Sequence, residues 1–169
     1  MTELADAVAG RLVGWQGLSS GLDEAALGAE LGAAFTREPN AQPRAARGYV
    51  VLHGARSTPP EQVDAWFPLG ADEAATVEFA PPAGLDSEAL LEDLGEPELV
   101  LDSRHFAAGA VVEDHVHASR GITVAVAEPF EPGPRRIVYV QLYPPTAPER
   151  YVTDVGQSGE ELRPYPRDD

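Results

Sequence analysis

The sequence predicts an α+β fold made of two tandem helix-plus-antiparallel-sheet repeats, with an N-terminal helix before them and a short closing C-terminal helix after them. Three observations predict it: a segment that recurs after 63 residues, two short helices with capping residues at both ends, and strands that stop at a Pro-Pro pair. Because each short helix is unstable alone, we expect it to pack on the strands that follow it.

The recurrence is clearest at the two helices. Their sequences are GLDEAALGAELG from residue 21 and GLDSEALLEDLG from residue 84, identical at seven of twelve positions. The third residue of each copy is an aspartate, whose carboxylate can accept from the free N–H groups of a first helical turn. A glycine ends each copy, as a left-handed C-cap prefers. The helices are therefore expected over residues 24–31 and 87–94, with the caps Asp23, Gly32, Asp86 and Gly95.

Runs of β-branched and aromatic residues predict the strands. The clearest run covers residues 136–143, and its counterpart in the first repeat covers 74–80. Both are followed by Pro-Pro, which supplies no donor to a sheet ladder. The other predicted strands cover residues 49–53, 63–69, 113–118 and 122–126.

Weaker matches set the register inside the repeats. The 63-residue offset places Val63 on Val126 and Phe67 on Phe130. An Arg-Gly pair at residues 47 and 48 resembles the pair at 120 and 121, but at an offset of 73. Either the first repeat carries an insertion, or this second likeness is accidental.

These elements divide the chain into five parts. Apolar residues every four positions predict a helix near the N-terminus, and Tyr151, Val152 and Val155 form the apolar face of the predicted closing helix. The expected parts are residues 1–20 (N-terminal helix and linker), 21–83 (first α/β repeat), 84–145 (second repeat), 146–156 (closing helix) and 157–169 (a tail with nothing to bury).

Composition excludes several classes of function. The 12 basic residues, all arginine, stand against 28 acidic ones, and the net charge of −16 disfavours nucleic acid and anionic membranes while favouring a basic protein partner. Without cysteine or lysine the chain has no disulfide, thiolate, Schiff-base or P-loop chemistry. With no long apolar run and no signal-like leader, a cytoplasmic protein is expected. No motif predicts a cofactor, and the oligomeric state is left open.

Alternation along the strands assigns side chains to the two faces of the sheet. The helices are expected to cover the face that carries Val138, Val140 and Leu142, leaving the other face open. The open face is predicted to display Trp66, Glu78, Thr123, Tyr139, Gln141 and Tyr143, together with Glu113, His115 and His117. Aromatic residues are enriched at the centres of interfaces, so the first six are the predicted partner-binding residues. The alternative is a hydrated face, or one that the N-terminal helix or the tail covers.

Glu113, His115 and His117 also define a second hypothesis. Their spacing of two residues places three oxygen and nitrogen donors on one side of a strand, and zinc accepts such donors at about 2.0–2.2 Å. The hypothesis is a metal- or small-molecule-binding protein or enzyme. Because a closed zinc site has four ligands and only three are named here, a solvated strand face is the alternative.

A helix that ends in Leu-Gly, followed by antiparallel strands and then by the same unit again over residues 21–145, resembles the tandem α/β units of β-lactamase-inhibitor proteins. Those proteins grip a partner enzyme with the open face of a curved sheet. The run Leu94-Gly95-Glu96-Pro97 is also similar to small lipoprotein domains of outer-membrane assembly. The resemblance implies a partner-binding sheet, and the expected function is a non-enzymatic inhibitor, immunity or accessory factor. A structural subunit of a larger assembly remains a third possibility.

Overall fold

The computed structural model describes residues 3–11, 22–37, 49–68, 70–103 and 105–155. The predicted tail over 157–169, and most of the predicted linker before residue 21, lie outside these ranges. In chain order the elements are α1 (Glu3–Val8), α2 (Glu24–Leu31), β1 (Ala33–Arg37), β2 (Tyr49–Arg56), β3 (Gln62–Pro68), β4 (Thr76–Phe79), α3 (Ser87–Leu94), β5 (Leu99–Asp102), β6 (Ala110–His117), a 3-10 turn (Ala118–Arg120), β7 (Ile122–Pro129), β8 (Arg136–Leu142), α4 (Pro148–Arg150) and a π-helical turn (Tyr151–Val155). We call α4 and the π-helical turn together the closing segment.

The eight strands form one antiparallel sheet in the order β1-β2-β3-β4-β8-β7-β6-β5. After α1, each half of the chain contributes one helix (α2 or α3) and then four strands that pair in sequence, and the halves meet where β4 pairs with β8. The predicted α+β class, with helices and an antiparallel sheet, is confirmed. The duplication behind the two halves stays a prediction.

Helices α2 and α3 have the predicted bounds, and N-terminal capping explains where they begin, whereas the left-handed C-cap predicted at Gly95 is wrong, since its φ is 72° and its ψ −158°. Asp23 accepts from the backbone N–H of Ala26 at 2.8 Å, and Asp86 accepts from that of Ala89 at 3.1 Å. These carboxylates satisfy donors that a first helical turn leaves unpaired. Gly32 ends α2 in the left-handed conformation, at φ 61° and ψ 37°, where a Cβ atom would be strained.

The three helices α1, α2 and α3 lie on one face of the sheet, which we call the inner face. Their buried side chains share one core with strand residues, mainly Leu52, Val63, Phe67, Val77, Val124, Val140 and Leu142. Burying a side chain of this size contributes about 1.5–3 kcal/mol, which compensates for helices too short to be stable alone. No helix in the described ranges is both long and apolar enough to cross a bilayer.

The pairing of β4 with β8, where the two halves meet, is symmetric about the pair Glu78 and Gln141. Glu78 lies directly opposite Gln141, the residue 63 positions later in the chain. On either side, Val77 pairs with Leu142 and Phe79 pairs with Val140. The offset of 63 relates Val77 to Val140 and Phe79 to Leu142, so it converts one flanking pair into the other. The register of β4 against β8 is thus compatible with the offset of 63, while the equivalence of the two strands stays a prediction.

The same offset fails between β3 and β7. Judged by the strands that they face, the counterpart of Val63 is Ile122 and not the predicted Val126. The predicted match of Phe67 with Phe130 is wrong for the same reason. Phe67 belongs to the inner core, whereas Phe130 lies beyond the end of β7 and is 72% exposed.

Differences in loop length explain the failed match. Nine positions separate the paired residues Gly54 and Val63, and five separate His117 and Ile122, so the connection is four residues longer in the first half. The next connection, from Val63 to Phe79, is four residues shorter in the first half than its counterpart from Ile122 to Leu142 in the second. This restores the offset of 63 at β4 and β8. The Arg-Gly pair at 120 and 121 belongs to the turn after β6, and the similar pair at 47 and 48 lies outside the described ranges.

The two strands at the edges of the sheet, β1 and β5, have no counterpart among the predicted strands. β1 reads AAFTR and β5 reads LVLD. Each is short and has a single β-branched residue, so local preference for a strand is weak. Each also pairs on one side only, as edge strands do, and its place is fixed by the neighbouring strand.

Candidate functional site

The face of the sheet away from α1, α2 and α3, which we call the outer face, carries a row of polar side chains. Residues directly opposed in antiparallel strands share a face, and the row crosses five neighbouring strands through such pairs. Its members, from β2 to β7, are His53, Asp64, Glu78, Gln141 and Thr123. We call them the polar row.

Glu78 lies at the centre of the polar row and is 1% exposed. Its Oε2 atom accepts from Trp66 Nε1 at 2.6 Å and from Tyr139 OH at 2.9 Å, and its Oε1 atom accepts from Gln141 Nε2 at 2.9 Å. A buried carboxylate is unfavourable unless donors replace the water that it loses, and three donors do so here. The same bonds fix two aromatic side chains around one anionic group.

Trp66 and Tyr139 are the two predicted partner-binding residues that stay partly exposed. A third ring joins them, because the loop after β5 places the His105 ring centroid 3.9 Å from that of Tyr139, with the planes tilted by 31°. The outer face thus presents aromatic groups close to Glu78, and each of the two predicted ones is tied to it by a hydrogen bond.

A groove of about 400 Å³ lies beside this aromatic group. Asp64, Glu78 and Tyr139 form part of its lining, and the rest comprises Pro59, Pro60, Glu61, Gln62, Phe79, Ala80, Pro81, Pro82 and Ala83. The Oδ1 atom of Asp64 accepts from Gln62 Nε2 at 3.2 Å and lies 2.9 Å from His53 Nδ1, which donates in the tautomer that carries its proton there. Polar row and groove therefore meet at Asp64 and Glu78.

The predicted openness of the outer face is wrong for four of the six predicted partner-binding residues. Glu78, Thr123, Gln141 and Tyr143 are all buried. Over the second half the reason is the closing segment: the Tyr151 ring centroid lies 5.1 Å from that of Tyr143, and the Tyr151 hydroxyl donates to Gln141 Oε1 at 3.1 Å. A second apolar core forms there from Leu99, Leu101, Val116, Ala118, Tyr143, Tyr151, Val152 and Val155.

Tyr143 is a structural residue in this core. Its hydroxyl donates to the carbonyl of Ile122 at 3.0 Å and lies 3.0 Å from Thr123 Oγ1. Burial raises the pKa of the Tyr143 phenol far above its ordinary value, so the side chain stays neutral and bonded inside the protein. It is placed to support the sheet rather than to meet a partner.

The predicted placement of Glu113, His115 and His117 on the outer face is also wrong. All three lie opposite inner-core residues of β7, and therefore on the inner face. Val116, between the two histidines, points outward into the core under the closing segment. An apolar residue marks the helix-covered side of a strand only where the other face meets water, and in this half both faces are covered.

The two histidines of β6, His115 and His117, are both buried. The Nε2 atom of His117 has no hydrogen-bond partner among the described residues, and burial, followed by the charges of Arg120 and His115, lowers the pKa of His117 to about 4. His115 Nε2 lies 3.9 Å from Glu113 Oε2, too far for a hydrogen bond. The described ranges contain no group of three or more His, Cys, Asp or Glu side chains placed to hold a metal ion. The metal hypothesis therefore has no geometric support there.

Three residues near the groove, His53, Asp64 and His105, are absent from the predicted site residues. Alternation could have found Asp64, because it lies two residues before Trp66 on the same strand and must share its face. His53 requires the register of β2 against β3, and His105 lies in a loop that no periodic pattern places.

Comparisons with models of protein families, with curated proteins and with solved structures each gave no match.

Proposed function

We propose that this chain is a non-enzymatic binding protein, an inhibitor, immunity or accessory factor, which engages a protein partner through the outer face of its sheet around Glu78, where β4 of the first half pairs with β8 of the second. The contact surface consists of Trp66, Tyr139 and the groove beside them. One observation carries the proposal: two aromatic side chains converge on the buried carboxylate of Glu78 while both remain partly exposed.

Such an arrangement suits recognition because it is fixed before the partner arrives. Tryptophan and tyrosine are enriched among the residues that dominate binding energy. Immobilising a side chain at an interface costs about 0.5–1.5 kcal/mol, and a hydrogen bond that already orients the ring reduces this cost. Gln141 donates to Glu78 and is buried, and Thr123 and Tyr143 are buried next to the closing segment, so none of the three contacts the partner.

The test is an affinity capture from the native organism, with the whole chain as bait and mass spectrometry as the readout. A Trp66→Ala/Tyr139→Ala double variant is expected to lose the captured partner. Phe130→Ala is the matched control, because it removes an aromatic side chain that is 72% exposed and does not line the groove. The control should retain the partner.

Because the double variant also removes two donors from Glu78, its fold is checked by circular dichroism. A second variant, Ala83→Trp, blocks the exposed rim of the groove without touching these bonds. Loss of the partner in both variants supports the proposal. A folded double variant that keeps the partner, or full retention by Ala83→Trp, contradicts it.

A further inference from the structure

The geometry points to an arginine side chain of the partner as the ligand of the groove. We propose that its guanidinium group pairs with Asp64 and lies against Tyr139, while its methylene stem follows the proline walls. This inference rests on the proposed function and specifies the chemistry of the partner.

Charge selects the class of ligand. The described residues that line the groove include the carboxylates of Glu61, Asp64 and Glu78 and no basic side chain. The chain as a whole has a net charge of −16, which raises the local concentration of cationic groups near such a cleft. A cation is therefore the ligand that this groove attracts.

Asp64 supplies an unused acceptor. Its Oδ1 atom is engaged by His53 and Gln62, whereas its Oδ2 atom accepts no hydrogen bond from the described residues. The Asp64 side chain is 22% exposed at the lining of the groove, so an incoming donor can reach it. A guanidinium group presents several N–H donors in a planar fork, which suits a carboxylate held in one orientation.

Tyr139 favours a planar cation over a spherical one. Its ring is fixed by the bond from its hydroxyl to Glu78 and by the neighbouring His105 ring. A guanidinium group can stack on an aromatic side chain, and the negative charge of Glu78 adds to the attraction. A lysine ammonium carries the same charge but cannot stack as a plane.

The walls suit the remainder of an arginine side chain. Pro59, Pro60, Pro81 and Pro82 give the groove rigid apolar sides. The long stem of arginine favours such surfaces while its charged end remains hydrogen-bonded. A volume of about 400 Å³ is at the low end of the range for small-ligand pockets, which is adequate for one side chain and its flanking backbone.

The experiment is a two-dimensional ¹H–¹⁵N NMR titration of the whole chain with three probes: Nα-acetyl-arginine amide, its neutral isostere Nα-acetyl-citrulline amide, and Nα-acetyl-lysine amide. The reporter is the Trp66 indole N–H, which donates to Glu78 and is assigned with a Trp66→Phe variant. Arginine amide should shift this signal saturably. Citrulline amide and lysine amide should each bind at least about tenfold more weakly.

Asp64→Asn should weaken binding of arginine amide by about tenfold, since it removes one charge-assisted interaction. Glu92→Gln is the matched control: it makes the same change of charge at an exposed position on α3 and should leave the affinity unchanged. Equal binding of citrulline or lysine amide, or an Asp64→Asn variant that binds as tightly as the parent, overturns the assignment.

The two proposals can fail separately. If none of the amides moves the Trp66 signal while capture of the partner still depends on Trp66 and Tyr139, the arginine inference is wrong and the proposed function stands. If arginine amide binds as expected but the folded double variant keeps its partner, the proposed function is wrong, and the inference about a partner fails with it.

Discussion

The outer faces of the two halves carry different chemistry at equivalent positions. His53, Asp64 and Glu78 of the first half correspond to Val116, Thr123 and Gln141 of the second. The first half thus has three titratable side chains at the positions where the second half has three side chains that cannot ionise. The closing segment packs on the second set and completes an apolar core there, whereas Asp64 and the neighbouring Trp66 remain partly exposed.

This difference shows how one arrangement of strands can serve two purposes. Val116 and its apolar neighbours gain free energy when the closing segment removes them from water. The same cover over Asp64 would remove hydration from a carboxylate, which is unfavourable without further donors. Glu78 lies at the boundary between the two regions, and its three donors come from both halves. The chemistry of the strands therefore decides which part of the outer face stays exposed to water.

The largest effect is expected from removing the cover of the second half. Tyr151→Ala deletes a side chain that is 2% exposed and packed on Tyr143, and should lower the free energy of unfolding by about 3–5 kcal/mol in urea denaturation. Tyr151→Phe is the matched control. It keeps the ring and loses the hydrogen bond to Gln141, so it should cost about 1 kcal/mol.

If Tyr151→Ala cost no more than its phenylalanine control, the closing segment would contribute little to the fold. The contrast between a covered and an accessible half would then lose its energetic basis.

The sequence predicted what local rules determine. Asp23 and Asp86 fix where α2 and α3 begin, because a cap acts within one turn of its own helix. Alternation assigned Glu78 and Gln141 to one face, as the structure finds. Each of these predictions depends on a few neighbouring residues.

Predictions that depend on distant packing went wrong. Whether Tyr143 is exposed depends on Tyr151, a contact that no pattern within a strand encodes. Alternation indicates which face of β6 is exposed only where one face of the sheet meets water, and both faces are covered at His115 and Val116. His105 reaches Tyr139 from a loop, so its role required coordinates.

A loss of stability of intermediate size is expected at low pH from His117, whose counterpart in the first half is Gly54. In the unfolded chain the His117 imidazole is protonated once the pH falls below its ordinary pKa of 6.5. In the folded protein it stays neutral until about pH 4. The unfolded state therefore binds more protons in this interval. The contribution of His117 to stability is complete above pH 6.5 and falls as the pH drops toward 4, by on the order of 2 kcal/mol.

The measurement compares urea unfolding of the parent and of His117→Leu at about pH 7 and about pH 4.5, which removes the effect of the many carboxylates common to both. The parent should lose about 2 kcal/mol more than the variant between the two conditions. Equal losses would mean that the folded protein does not depress the pKa of His117, and this contrast with the first half would disappear.

The smallest effect concerns a feature that the two halves share. Arg56 Nε donates to the carbonyl of Leu31 at 2.8 Å, and Arg120 Nη1 donates to that of Leu94 at 3.2 Å, so each arginine satisfies a carbonyl at the C-terminus of one helix. Arg56→Met and Arg120→Met keep an unbranched stem and remove the donors, and each should cost about 1 kcal/mol in urea denaturation. Each arginine also donates to a second carbonyl, Arg56 to that of Pro60 at 3.1 Å and Arg120 to that of Asp93 at 3.0 Å, so the two variants should lose similar amounts. Similar losses would show that the halves differ on their outer face but are held together alike on the inner one. A loss at one arginine with none at the other would extend the asymmetry to both faces.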